Sequence, residues 1–189
     1  VVGVVVPGAR QHPVDAGDLR GNGMTNLSVG AVGTVGISGN MITNFGTTYR
    51  LGGGWGTLTI SNGILRGVGT NMVAFGGGSG GALRLMGTNL LDNYQVNGGL
   101  VQFATISGMG SRVTSRPVEV NRGGSVSTTG DVMTAAFLGR IATGSSGTVA
   151  LVADQAGAVD FNAAGLNAMS LGAANGTWTL SGALTPAAG

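Results

Sequence analysis
A short phrase recurs along this chain: glycine, threonine, an apolar residue, any residue, then a second apolar residue. It reads Gly33-Thr34-Val35-Gly36-Ile37, Gly56-Thr57-Leu58-Thr59-Ile60, Gly147-Thr148-Val149-Ala150-Leu151 and Gly176-Thr177-Trp178-Thr179-Leu180. Each copy has the two-residue alternation of a strand with one buried face. Looser copies lie between them: Gly81-Ala82-Leu83-Arg84-Leu85, Gly99-Leu100-Val101-Gln102-Phe103 and Gly124-Ser125-Val126-Ser127-Thr128. The opening glycines, at 33, 56, 81, 99, 124, 147 and 176, are separated by 23, 25, 18, 25, 23 and 29 residues. Recurrence at this interval is the mark of stacked repeats. The expected fold class is all-β, a parallel β-helix or solenoid of about seven coils with a period near 23 residues. An antiparallel β-sandwich is the alternative, because turns such as Asn97-Gly98-Gly99 and Asn121-Arg122-Gly123-Gly124 suit a hairpin as well as the corner of a coil.

One coil cannot hold itself together. Ordering its backbone opposes folding by more than its few inward aliphatic side chains return. Stacking closes the deficit, since each coil covers the apolar face of the last and completes its backbone ladder. The same physics leaves the two ends with unpaired amides and a bare apolar cross-section. The expected partner is therefore the protein itself, as a head-to-tail homo-oligomer or filament, or else a longer parent chain.

A longer likeness overlies the short one. Asp18-Leu19 matches Asp160-Phe161, and Leu27-Ser28-Val29-Gly30-Ala31 matches Met169-Ser170-Leu171-Gly172-Ala173; Gly33 to Gly39 then matches Gly176 to Gly182. The domain reading is an N-terminal extended segment over 1–13 and a single solenoid over 14–189, with 14–46 equivalent to 156–189. Val1 to Val6 is too short, and too broken by Gly3 and Pro7, for a membrane helix; no transmembrane segment is expected. With no initiating methionine, the chain reads as a processed product or an excised segment.

Composition narrows the function. Charged residues are 8% of the chain, against about 25% in ordinary globular proteins. The net charge is +2, and the loosest basic group (Arg112, Arg116, Arg122) is interrupted by Glu119, so a nucleic-acid partner is not expected. Cysteine is absent, which removes disulfides and thiolate chemistry. Aliphatic residues are too many and too regularly spaced for a disordered chain. Helix signals are confined to Asp131–Ile141, where Asp131 is a candidate cap, Val132, Ala136 and Gly139 share a face, and one short helical turn or a strand bulged at Gly139 fits.

The phrases Asn26 to Ala31, Thr48-Tyr49-Arg50-Leu51-Gly52-Gly53-Gly54, Gly56 to Arg66 and Gly176 to Gly182 resemble the passenger-type surface proteins built from autotransporter-associated β-strand repeats. With the looser coils, the resemblance covers most of residues 14–189. It implies a right-handed parallel β-helix, export to the cell surface, and a stalk, adhesin or fibre role. It brings no catalytic residues. The family's membrane β-barrel translocator, with its aromatic girdles, is not among these residues.

Motifs that suggest chemistry lack their context. Gly77-Gly78-Ser79-Gly80-Gly81 has the spacing of a nucleophile elbow, but no helix follows and the one histidine, His12, sits beside Pro13. Gly76, Gly78 and Gly81 match a dinucleotide fingerprint without its βαβ unit. The acids Asp15, Asp18, Asp92, Glu119, Asp131, Asp154 and Asp160 are too sparse for calcium ladders. Asp18 and Asp160 are expected to accept backbone N–H bonds at corners, and Asp15 and Asp18 are read as loop residues rather than a glycosidase pair. Tyr49, Trp55 and Tyr94 are candidate sugar-stacking aromatics, and Trp178 a core residue. No catalytic, cofactor or metal residues are assigned. The expected function is a non-enzymatic, extracellular, self-associating fibre, stalk or matrix element at the cell surface. The alternatives are a carbohydrate-binding or carbohydrate-cleaving β-helix, with surface glycans as partner, and a viral or appendage fibre subunit. Val35, Ile37, Leu58, Ile60, Val149, Leu151, Trp178 and Leu180 are expected to point inward, with strand-opening glycines at corners.

Overall fold
The computed structural model describes residues 28–37, 48–52, 54–61, 65, 71–74, 81–110, 114–128 and 133–188. The chain winds as a parallel β-solenoid. One face is a seven-stranded sheet in the order β1 (Thr34–Ile37), β3 (Thr57–Ile60), β5 (Ala82–Leu85), β7 (Gly99–Phe103), β9 (Gly124–Thr128), β10 (Thr148–Leu151) and β12 (Ser170–Ala173). The opposite face is a four-stranded sheet in the order β2 (Thr48–Leu51), β4 (Asn71–Ala74), β6 (Asn93–Val96) and β8 (Val118–Val120). A two-stranded strip, β11 (Val159–Asp160) with β13 (Leu184–Thr185), finishes the C-terminal end. Every described pair is parallel, so the glycine-rich turns are corners of a coil and the antiparallel sandwich does not form.

The register reproduces the glycine spacing. Val35, Leu58, Leu83, Val101, Val126 and Val149 stand over one another in a single inward column. The winding departs from expectation at its end. The strand that stacks on β10 is Ser170–Ala173, with Leu171 over Val149, not the phrase opened by Gly176. Leu180 instead forms a single backbone bridge with Gln155, away from the large sheet. Trp178 stands outside the inward column. It lies half-buried against the core, and its Nε1 donates to the Ala174 carbonyl at 2.9 Å.

The count of coils is also lower than expected. Among the described residues four turns carry a strand on both faces, and a fifth contributes only Ile141, bridged to Val118. The solenoid therefore makes about five two-faced turns rather than seven. The two members of the long likeness also fall at different stations. Val29 bridges Leu51 in line with the four-stranded sheet, whereas Leu171 lies in the seven-stranded one.

Between the sheets runs one continuous core. Leu58, Ile60, Leu83, Leu85, Val101, Phe103, Val126, Val149 and Leu151 fill it from one side, with Tyr49, Leu51, Tyr94, Val96, Val118 and Val120 from the other. The Tyr94 and Phe103 rings meet edge to face, centroids 5.4 Å apart.

Corners are built by glycine because successive turns touch there. A Cβ at Gly147 would lie 2.6 Å from the Gly124 carbonyl oxygen, and one at Gly81 would lie 2.7 Å from that of Gly54. Gly123, at φ +91°, supplies the left-handed residue before β9.

In three turns a capped helical turn forms a corner. The side chains of Thr105, Thr134 and Asp160 accept from the backbone N–H of Gly108, Phe137 and Ala163, opening the turns Ile106–Met109, Ala135–Leu138 and Phe161–Ala164. The expected helical turn near 131–141 is thus present, and its cap is Thr134; Asp131 and Val132 lie outside the described residues. Of the three residues expected to share its face, Ala136 is exposed; Phe137 and Leu138 are the ones that bury. Asp160 does the corner work expected of it, at 2.8 Å from Ala163 N.

Candidate interaction surface at the end rungs
Along the large sheet, the inward residues of the interior strands are fully covered by the turns on either side. Leu58, Ile60, Leu83, Leu85, Val101, Phe103, Val126 and Val149 are all buried. The end strands differ. In β1, Val35 and Ile37 are half-buried while Thr34 and Gly36 are exposed. In β12, Leu171 and Gly172 are half-buried while Ser170 and Ala173 are exposed. Leu184 in β13 is also exposed. Trp178, Leu180 and Ala187 pack against the core, and Val159, Phe161 and Leu166 of the last turn are buried, so the exposure at this end is confined to the β12 and β13 strands.

Among the described residues the backbone ladder of the large sheet also stops at these two strands. Ser170 N donates to Gly147 O at 3.0 Å and Ala174 N to Leu151 O at 2.9 Å, so alternate residues of β12 face β10. Leu171 and Ala173 turn their N–H and C=O the other way, where no strand pairs among the described residues. On β1, the carbonyls of Gly33 and Ile37 accept from Thr57 and Ser61, which leaves Thr34 and Gly36 facing away from β3. Neither end strand carries a charged residue (TVGI and SLGA). Charge is one of the usual means of blocking an edge.

The polar side chains mostly tie turns together. Arg116 reaches across the stack, its guanidinium donating to the Ile141 and Ala164 carbonyls at 2.9 Å each. Asp154 accepts from Thr179 N at 2.7 Å. Arg84 donates to Gln102 at 2.8 Å and Asn121 to Asn97 at 2.7 Å. Gln155 is buried; its Oε1 accepts from Met133 N at 2.9 Å, and its Nε2 donates to the carbonyls of Met133 and Gly157 at 3.3 and 3.1 Å. The Tyr94 hydroxyl lies 3.3 Å from the carbonyls of Asn89, Gly108 and Gly110. Burial holds this phenol above its ordinary range, opposed in part by a hydrogen bond to the Leu91 backbone.

The sugar-stacking candidates do not come together. Tyr49 and Tyr94 are in the core, and only Trp55, 79% exposed, faces outward. Ser79, Gly76, Gly78, His12, Asp15, Asp18 and Arg112 lie outside the described residues. Among the described residues no group of three His, Cys, Asp or Glu side chains is placed to hold a metal. No described helix is long and apolar enough to cross a membrane, which does not bear on strands. Of the residues expected to point inward, Leu58, Ile60, Val149 and Leu151 are buried, while Val35, Ile37, Trp178 and Leu180 are half-buried against the core. Comparison of the chain with protein-family models, with curated proteins and with solved structures gives no match.

Proposed function
We propose that this protein is a non-enzymatic structural element, a self-associating fibre, stalk or matrix subunit that works outside the cell in the manner of the surface β-helices it resembles. The observation that carries the reading is the pair of end strands that have no outer partner among the described residues. Interior inward residues are buried, whereas Val35 and Ile37 at one end and Leu171 at the other are only half-covered. Covering them with another rung returns apolar burial and completes two backbone ladders. The function is then mechanical: hydrogen-bond ladders supply length and stiffness, and the ends recruit neighbours. For the carbohydrate alternative the described residues offer a single exposed aromatic, Trp55.

Sedimentation over a range of concentrations tests the reading. The expected result is a mass that rises with concentration, with elongated particles by electron microscopy. Ala173→Lys places a charge on the exposed edge of β12 and is expected to weaken association at least tenfold. A constant monomeric mass at every concentration overturns the proposal.

A further inference from the structure
We infer that the partner at the C-terminal end is a second copy of this chain, whose β1 adds in parallel to β12 in one register: Ser170 beside Thr34, Leu171 beside Val35, Gly172 beside Gly36 and Ala173 beside Ile37. The inference rests on the self-association proposed above and specifies its joint.

Two constraints bear on this register; both exclude a shift by one residue, continuity of the inward column favours the stated register over a shift by two, and the cross-linking below separates those two. The first is the side-chain face. Leu171 continues the inward column that runs through Val149, and Val35 begins the same column at the other end. Setting one over the other extends the core across the joint. A shift by one residue would send Val35 and Ile37 outward, since side chains alternate along a strand.

The second constraint is the backbone. Within the chain, the residues of β12 that face β10 are Ser170, Gly172 and Ala174, so Leu171 and Ala173 offer N–H and C=O to the far side. On β1 the residues that face away from β3, with no partner strand among the described residues, are Thr34 and Gly36. In the stated register three bonds form between these groups. Leu171 N–H donates to Thr34 C=O, Gly36 N–H donates to Leu171 C=O, and Ala173 N–H donates to Gly36 C=O. This repeats the bond pattern between β10 and β12. The joint also sets Gly172 and Gly36 side by side on the outer face, and it contains no charge to repel the partner.

Because the protein has no cysteine, the register can be read by cross-linking. Ser170 and Thr34 are both exposed. Directly opposed residues on neighbouring strands have Cα atoms about 4.8 Å apart, within disulfide range; a two-residue offset gives about 8 Å, beyond it. Single-cysteine proteins Ser170→Cys and Thr34→Cys are mixed and mildly oxidised, beside a mixture of Ser170→Cys with Gly36→Cys. The expected result is a 170–34 dimer at least tenfold more abundant than the 170–36 dimer or the 170–170 dimer. Predominant 170–36 linkage overturns the register, and predominant 170–170 linkage overturns head-to-tail pairing. Concentration-dependent association in sedimentation without 170–34 linkage sinks the joint but leaves self-association standing. A monomer in sedimentation with no linkage sinks both.

Discussion

Gln155 is the side chain whose removal tests the stacking most directly. It sits where the second sheet has ended, and its amide replaces a missing rung by bonding both backbone groups of Met133, one turn earlier. Replacing it with methionine keeps the length and the apolar stem but removes three hydrogen bonds. The buried Met133 N–H loses its acceptor, at about 1–3 kcal/mol, and each lost amide–carbonyl bond adds about 0.5–1.5 kcal/mol. Allowing for overlap between these terms, Gln155→Met should lower stability by about 2–4 kcal/mol. With a urea dependence of about 1–3 kcal/mol/M, the midpoint should fall by about 1 M or more. Hydrogen exchange reads the same bond at one amide: the Met133 N–H should exchange at least tenfold faster, since about 1.4 kcal/mol is a factor of ten. Gln155→Glu adds a pH test. A buried carboxylate facing two carbonyls has its folded pKa raised, so the variant keeps its stability below the unfolded carboxyl pKa and loses it as pH rises through the folded value. An unchanged urea midpoint together with an unchanged Met133 exchange rate would refute the reasoning.

Other expectations follow from single contacts. Gly147→Ala forces a Cβ to within 2.6 Å of a carbonyl oxygen and should cost about 1–3 kcal/mol in thermal or urea unfolding. Gly144→Ala meets open space at an ordinary φ and should be neutral or stabilising by about 0.4–1 kcal/mol. Arg116→Leu should lose about 1.5–3 kcal/mol in the same assay, because one guanidinium satisfies carbonyls in two other turns. The stability that the neutral Tyr94 phenol provides is present below about pH 10 and falls as pH rises beyond it, since burial raises the folded pKa above the unfolded one. Tyr94→Phe should therefore move alkaline unfolding, followed by circular dichroism, to higher pH.

Much of the winding was legible in the glycines. A corner where two turns touch admits no Cβ, so Gly56, Gly81, Gly124 and Gly147 mark the coil boundaries in the sequence itself. The last turn was not legible. Gly176 to Leu180 alternates as well as Ser170 to Ala173 does and carries the glycine–threonine opening that Ser170 lacks, although Ser170 stands 22 residues after Thr148 and Thr177 stands 29. Tyr49 and Tyr94 are buried rather than free to stack on sugars. Each shares a strand face with an aliphatic two residues on, Leu51 and Val96, and that alternation places them inside. Of the two end strands, Thr34–Ile37 opens the series of phrases, whereas Ser170–Ala173 is not among them; which of their backbone groups point outward depends on the pairing inside the chain and cannot be read from residue types.

The ladders that hold this molecule together run along its axis, in the direction a fibre is pulled. Under tension each rung opens by itself, like the teeth of a zip, rather than sharing the load across the whole sheet. One opened turn of about 23 residues releases up to about 80 Å of extended chain from a rise of about 5 Å. A strand of such material would yield in steps and lengthen greatly before it parted, a tether that absorbs a jolt.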